Sequence, residues 1–230
     1  MSSISNSNTN SLIISPRKLR YDLYSYQDEP DMPLVISVLA ALIERHMARN
    51  ERITRNCKWA LVSKDAKTRV FEANEAPDMT IQSFLERIFR YTKAGASVYV
   101  VAYVYIDRLC QNYPAFKISP SNVHRLLITT IMVSSKYVED MNYRNSYFAK
   151  IGGITTKEMN KMEMEFLFLM GFKLHVNVSV FESYCSHLER EVSIGGGYQI
   201  EKALRCAEEI KFRQNVDINP RYDHLSRITL

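Results

Sequence analysis

The chain has 230 residues, 46% hydrophobic content and only seven glycines and seven prolines, which suits one buried core of about 100–150 residues with tails left over. Its 30 basic residues are interspersed with 25 acidic ones, so the formal charge of +5 forms no phosphate-tracking stripe and calls for no nucleic acid partner. Four widely spaced cysteines match neither a zinc pattern nor a disulfide framework, no window reaches about 18 uncharged apolar residues, and MSSISNSNTN lacks signal-peptide character. The expectation is an intracellular protein, nuclear, cytoplasmic or both, with no membrane association.

Residues 1–30 open on a Ser/Asn-rich stretch with few bulky apolar groups and are expected to be disordered. From Pro33, PLVISVLAALIERH places Leu34, Val38, Leu42 and His46 on one stripe with Val35, Leu39 and Ile43 beside it, predicting an N-terminal helix over 33–48. Residues 49–76 mix charges without a period and read as a polar linker, in which only Trp59, Leu61 and Val62 argue for docking. Asp78 or Thr80 then caps IQSFLERIFRYT, whose Ile81, Phe84, Leu85, Ile88 and Tyr91 recur at helical spacing. The next segment, SVYVVAYVYIDRLCQNY, is rich in strand-prone Val and Tyr, but about fifteen uninterrupted residues exceed a usual strand, so a helix from Ser97 is predicted.

Leu126 to Val133 carry no charge and leave no polar face, which places this helix in the middle of a bundle. Ser119-Pro120 marks its start, and Asn142 with Asn145 its exit. A short helix over 146–151 ends at Gly152-Gly153. Thr155 and Glu158 form a capping box before MNKMEMEFLFLMGF, with Met159, Met162, Phe166 and Leu169 directed inward. After Leu174 the apolar density falls; residues 178–190 make one further helix candidate before Gly195–Gly197, and 191–230 reads as a short helical or disordered extension. The fold class is all-α: five helices with short connections, plus an extra N-terminal helix.

Chemistry is sparse along this chain. His46, His124, His175, His187 and His224 are scattered without HExxH or paired spacing, and Cys185 and His187, two residues apart, fall on different helix faces, so no metal is expected. Gly195 to Tyr198 lacks the preceding strand and the Lys-Ser/Thr ending of a phosphate loop, which leaves no cofactor or nucleotide site. No GxSxG elbow, HRD or DFG element is present, nor a carboxylate pair in an evident cleft, so no catalytic residue is expected. Binding remains. Lys136 and Glu163 stand out as ionic residues that the surrounding apolar segments do not need. Each also has a plain explanation: a lysine near a helix C-terminus gains about 0.3–1 kcal/mol from the dipole, and most helical glutamates are simply solvated.

YIDR at Tyr105 to Arg108, SSKYVED at Ser134 to Asp140 and MNKMEMEFLFLMGFKL at Met159 to Leu174 resemble the cyclin box. Within cyclins, NVHRLLITTIMVSSKYVED together with YFAKIGGITTKEMNKMEMEFLF is similar to the plant P-type (U-type) cyclins, themselves similar to the yeast phosphate-starvation cyclin. The resemblance implies a cyclin domain over 31–190, with the cyclin box at 77–175, built as five helices around a buried third one. It implies a regulatory subunit that binds and activates a cyclin-dependent kinase, most simply of the PSTAIRE type, by positioning its αC helix. Cell-cycle or phosphate- and nutrient-linked control is the corresponding role. Carried over by motif, Lys136 and Glu163 match the family pair that hydrogen-bonds around that kinase helix, and Tyr137, Glu139, Leu167 and Phe172 fall at neighbouring contact positions.

Two departures narrow what the resemblance carries. Where other cyclins have an MRAIL-like patch for RxL substrates, this chain has MTIQSFLER, with Ser83, Phe84 and Arg87 in that region, so RxL docking is not carried over. Asp107 is present, but its usual arginine partner in the first helix is replaced near Ile81, making Arg87 or Arg90 the expected structural partner. The competing reading is a cyclin-fold transcription or scaffold adaptor that activates no kinase; a nucleic-acid adaptor needs clustered Lys/Arg, and here the charges are interspersed. An enzyme is a third reading.

Overall fold

A computed structural model describes residues 15–24, 32–56 and 68–193, and all secondary structure among them is helical. In chain order the helices are α1 (Pro16–Tyr24), α2 (Leu34–Asn56), α3 (Ile81–Thr92), α4 (Ala96–Asn112), α5 (Val123–Val138), α6 (Asn145–Gly152), α7 (Thr156–Leu169) and α8 (Val178–Glu191), with a 3₁₀ turn at Thr68–Phe71 ahead of α3. The five predicted bundle helices are α3 to α7.

α5 is the axis. Every residue from Val123 to Ser135 except Arg125 is buried, and the helix packs against α3, α4, α6 and α7. Its two buried threonines do not break this apolar run, because Thr129 and Thr130 donate their hydroxyls to the carbonyls of Arg125 and Leu126 one turn back. α4 is buried continuously from Val98 to Ile106, so the Val/Tyr-rich segment is a core helix whose side chains meet neighbours on all sides. Length, not β-propensity, decided its conformation. Phe166 of α7 ties three elements together through an edge contact with Phe71 at a ring distance of 6.5 Å and a tilted one with Tyr105 at 6.1 Å.

Helix boundaries follow the local sequence signals in part. Thr80 caps α3 by accepting from the Ser83 N–H, and the Thr155–Glu158 box closes in both directions. Gly153, at φ 67°, terminates α6, as the Gly-Gly pair predicted. By contrast, α5 begins at Val123, four residues after Ser119, whose N–H is taken by the Asn122 side chain in a preceding turn. Asn145 opens α6 instead of marking the exit from α5. Tyr91, which shares the helical spacing of Ile81, Phe84, Leu85 and Ile88, is exposed, whereas Phe89 and Thr92 are buried.

The N-terminal region differs most from expectation. Within the stretch expected to be disordered, Pro16–Tyr24 forms α1, buries Leu19 and Leu23, and packs on α2 and α8. Asp22 accepts from the Leu34 N–H at 2.7 Å, so α1 caps α2, and Arg20 clasps Glu189 of α8 with bonds of 2.8 and 2.7 Å. Two apolar residues at i, i+4, a capping carboxylate and an ion pair dock this nine-residue helix. α2 also runs eight residues past 48, into the expected linker, on a charged outer turn that includes an Arg55–Glu51 pair. Trp59, Leu61, Val62, Gly195–Gly197 and His224 lie outside the described residues, as does nearly all of the 191–230 extension. No helix among the described residues is long and apolar enough to cross a membrane.

Candidate functional site

The C-terminus of α5, the N-terminus of α6 and the outer side of α7 meet at one point on the surface. Lys136, in the last turn of α5, donates from Nζ to Glu163 Oε1 of α7 at 2.5 Å and to Asn145 Oδ1 at 2.5 Å. Asn145 in turn donates from Nδ2 to Glu163 Oε2 at 2.6 Å and to Asn160 Oδ1 at 2.8 Å. The lysine side chain is 31% exposed and the glutamate 19%, so the pair is neither sealed inside nor fully solvated. A half-buried ion pair that is hydrogen-bonded at both ends keeps its geometry and still faces outward. It offers a row of donors and acceptors suited to the free N–H or C=O groups of a helix end.

Apolar side chains are exposed on the same elements and in the turn after α7. Tyr137 is 45% exposed and its hydroxyl meets His175 Nδ1 at 3.2 Å. On α7, Leu167 follows Glu163 by one turn and is half-buried, whereas Met164 and Phe168 are exposed, with Phe168 edge-on to exposed Phe172 at 5.4 Å. The chain turns after α7 through Gly171 and Phe172, both with positive φ, and this turn sets Phe172 beside Phe168. A monomer rarely leaves so many large apolar groups exposed around one polar pair without a use for them.

Other expected site residues are engaged within the fold. Glu139 has both oxygens engaged within the chain, accepting from the Gly95 N–H at 2.9 Å and the Ser135 hydroxyl at 2.6 Å, so it braces the start of α4 against the end of α5. The expected Asp107–Arg87 pairing is not formed. Asp107 Oδ2 accepts from the Tyr184 hydroxyl and from Gln111 Nε2, while Arg87 Nε is buried with no hydrogen bond among the described residues. The reason is topological: α4 packs on α8, which carries Tyr184, and α3 lies chiefly against α2, α5 and α6. Asp107 instead meets a phenol from a helix nearly eighty residues further along the chain. Arg90, the other expected partner, is exposed.

In the region of the absent MRAIL-like patch, Phe84 is buried edge-on against His124 at 4.9 Å. Gln82 is buried too, donating to Ser37 of α2 and to Glu86. α2 covers that side of α3. Among the described residues, no group of three or more His, Cys, Asp or Glu side chains is arranged to hold a metal ion, and Cys110 and Cys185 are unbonded thiols.

Of the residues expected from sequence, Lys136 and Glu163 are bonded to each other, Tyr137 follows Lys136 at the end of α5, Leu167 lies one turn beyond Glu163 on α7, and Phe172 meets Phe168 in the turn after α7. Sequence reasoning missed Asn145 and Asn160, which carry no local signal because their partners come from other helices. It also missed Met164 and Phe168, for which a signal existed: they make a second apolar stripe at i, i+4 beside the buried Met162 and Phe166.

The fold and this face together define a cyclin box. A family model described as Cyclin matches residues 33–174. The chain is 71% identical over 226 residues to Cyclin-U2-1 of Arabidopsis thaliana, covering 96% of this chain and 99% of that protein. It is 70% identical over 230 residues to Cyclin-U2-2 of the same plant, with the same coverage, and 50% identical over 186 residues to Cyclin-P2-1 of Oryza sativa subsp. japonica, covering 79% of this chain and 84% of the relative. The protein belongs to the cyclin family, in its plant P-type (U-type) branch.

Proposed function

We propose that the protein is a regulatory subunit that binds a cyclin-dependent kinase, of the PSTAIRE type, and activates it by holding its αC helix inward. The observation that carries this reading is the Lys136–Asn145–Glu163 cluster, half-exposed and framed by Tyr137, Leu167, Phe168 and Phe172. The polar centre binds the end of the docked helix, and the apolar frame buries its flank. With αC held in, its glutamate reaches the strand-three lysine and completes the phosphoryl-transfer site in the kinase. This subunit supplies position and no reacting group, and it needs no cofactor. Control of cell division or of phosphate and nutrient signalling is the physiological setting proposed for it.

A double-mutant cycle tests the reading. Kinase affinity and activation of a model substrate are measured with wild type, Lys136→Ala, Glu163→Ala and the double variant. Each single change is expected to weaken binding by about 2–5 kcal/mol, and the double variant by less than the sum, because each residue orients the other. Unchanged affinity and activation in both single variants would remove the site assignment. Binding without activation would favour the adaptor reading instead.

A further inference from the structure

A second concave feature lies beside the docking face. A cleft of about 420 Å³ opens between the end of α4 and the segment after α7, with Met170, Phe172 and Leu174 as its apolar lining and Arg108, Lys173 and His175 as its basic groups. Arg108 is held in place from behind, since Nη1 donates to the carbonyls of Lys173 at 3.3 Å and His175 at 3.0 Å. Its Nε and Nη2 donors have no partner among the described residues. Among the described residues, Lys18, Arg20, Arg45, Arg55, Arg125 and Lys136 are cations that pair with a carboxylate. None of the three basic side chains at the cleft does so among the described residues.

We infer that this cleft takes a carboxylate side chain of the kinase partner, seated on Arg108 with Lys173 and His175 around it, as a second anchor next to the Lys136–Glu163 clamp. The inference rests on the kinase-binding reading above. A guanidinium fixed by two backbone carbonyls has little freedom left to lose, and its remaining edge matches the two oxygens of a carboxylate. Continuity with the docking face selects the kinase as the source. Phe172 belongs both to that face and to the cleft, and the Tyr137 hydroxyl meets His175, so a partner covering Tyr137 and Phe172 also covers the mouth of the cleft.

Association of the full chain with a purified PSTAIRE-type kinase is measured at low and high salt for wild type, Lys173→Glu and Arg108→Gln, with thermal melting of each variant as a folding control. Lys173 is exposed and its side chain supports nothing in the fold, so Lys173→Glu melts as wild type does. The inference expects Lys173→Glu to weaken association about tenfold at low salt, with the larger part in the on-rate, and to converge on wild type near 0.5 M salt. Arg108→Gln loses a similar factor, mostly in the off-rate. If both bind as tightly as wild type while Lys136→Ala and Glu163→Ala are weakened, the cleft assignment is wrong and the clamp stands. Weakening in the cleft variants alone upholds the cleft and removes the clamp. No binding by wild type removes both.

Discussion

At Phe172 the backbone lies at φ 59° while the ring is 61% exposed, a conformation that costs a bulky residue about 1–2 kcal/mol and returns little burial. A glycine at this position would relax the backbone, offset in part by the roughly 0.5–1 kcal/mol of extra chain entropy that glycine loses on folding. We therefore expect Phe172→Gly to leave chemical-denaturation stability within about 1 kcal/mol of wild type while lowering kinase affinity at least tenfold. A loss of stability well beyond that range would make Phe172 a folding residue and not a binding one. The same scale shows where local reading stops. Lys136 and Glu163 were identifiable as charges inside apolar segments, yet the asparagine that joins them was taken for a helix exit, because its role exists only where three helices converge. Asp107 meets Tyr184 and not the expected arginine, since nothing near it in the chain points to that phenol.

Helix ends carry the predictions at the scale of the element. The Thr155 N–H and hydroxyl, followed by the Arg125 guanidinium, hold the Glu158 carboxyl at about 2, below its ordinary 4.5. A group whose folded value is depressed stabilises fully above its unfolded value and loses that contribution as pH falls through the folded one. The melting temperature of Glu158→Gln should therefore lie below that of wild type at neutral pH, and the gap should close between about pH 4.5 and pH 2. A constant gap across that range would mean that the carboxylate charge is not what the box uses. α1 offers a packing test, because Leu19 is fully buried in a helix of only nine residues. Leu19→Ala should cost about 2–3 kcal/mol if α1 folds with the body, read as a single shifted denaturation transition. If only proteolytic susceptibility near α1 changes, this helix undocks separately. Caps with their partner three residues away were legible; α1, whose Asp22 caps a helix in another segment, was not.

For the molecule as a whole, Phe166 is the place where the bundle is most interdependent, since its ring meets the 3₁₀ turn and α4 from its seat on α7. Phe166→Ala should cost about 3–5 kcal/mol and weaken the proposed docking face as well, because α7 carries Glu163 three residues before it and Leu167 immediately after it. Denaturation midpoints and kinase affinity measured on the same samples check both parts. The amino-acid sequence by itself determined the helical class, the central place of α5 and the inward face of α7. These follow from apolar spacing and from caps that close within a single turn, so neighbouring residues suffice to specify them. Only the tertiary structure decided that α1 docks, that Tyr184 answers Asp107, that Glu139 braces α4, and that Asn145 locks the lysine to the glutamate. Each of those depends on which helices lie side by side, and that arrangement is set by the packing of the whole core.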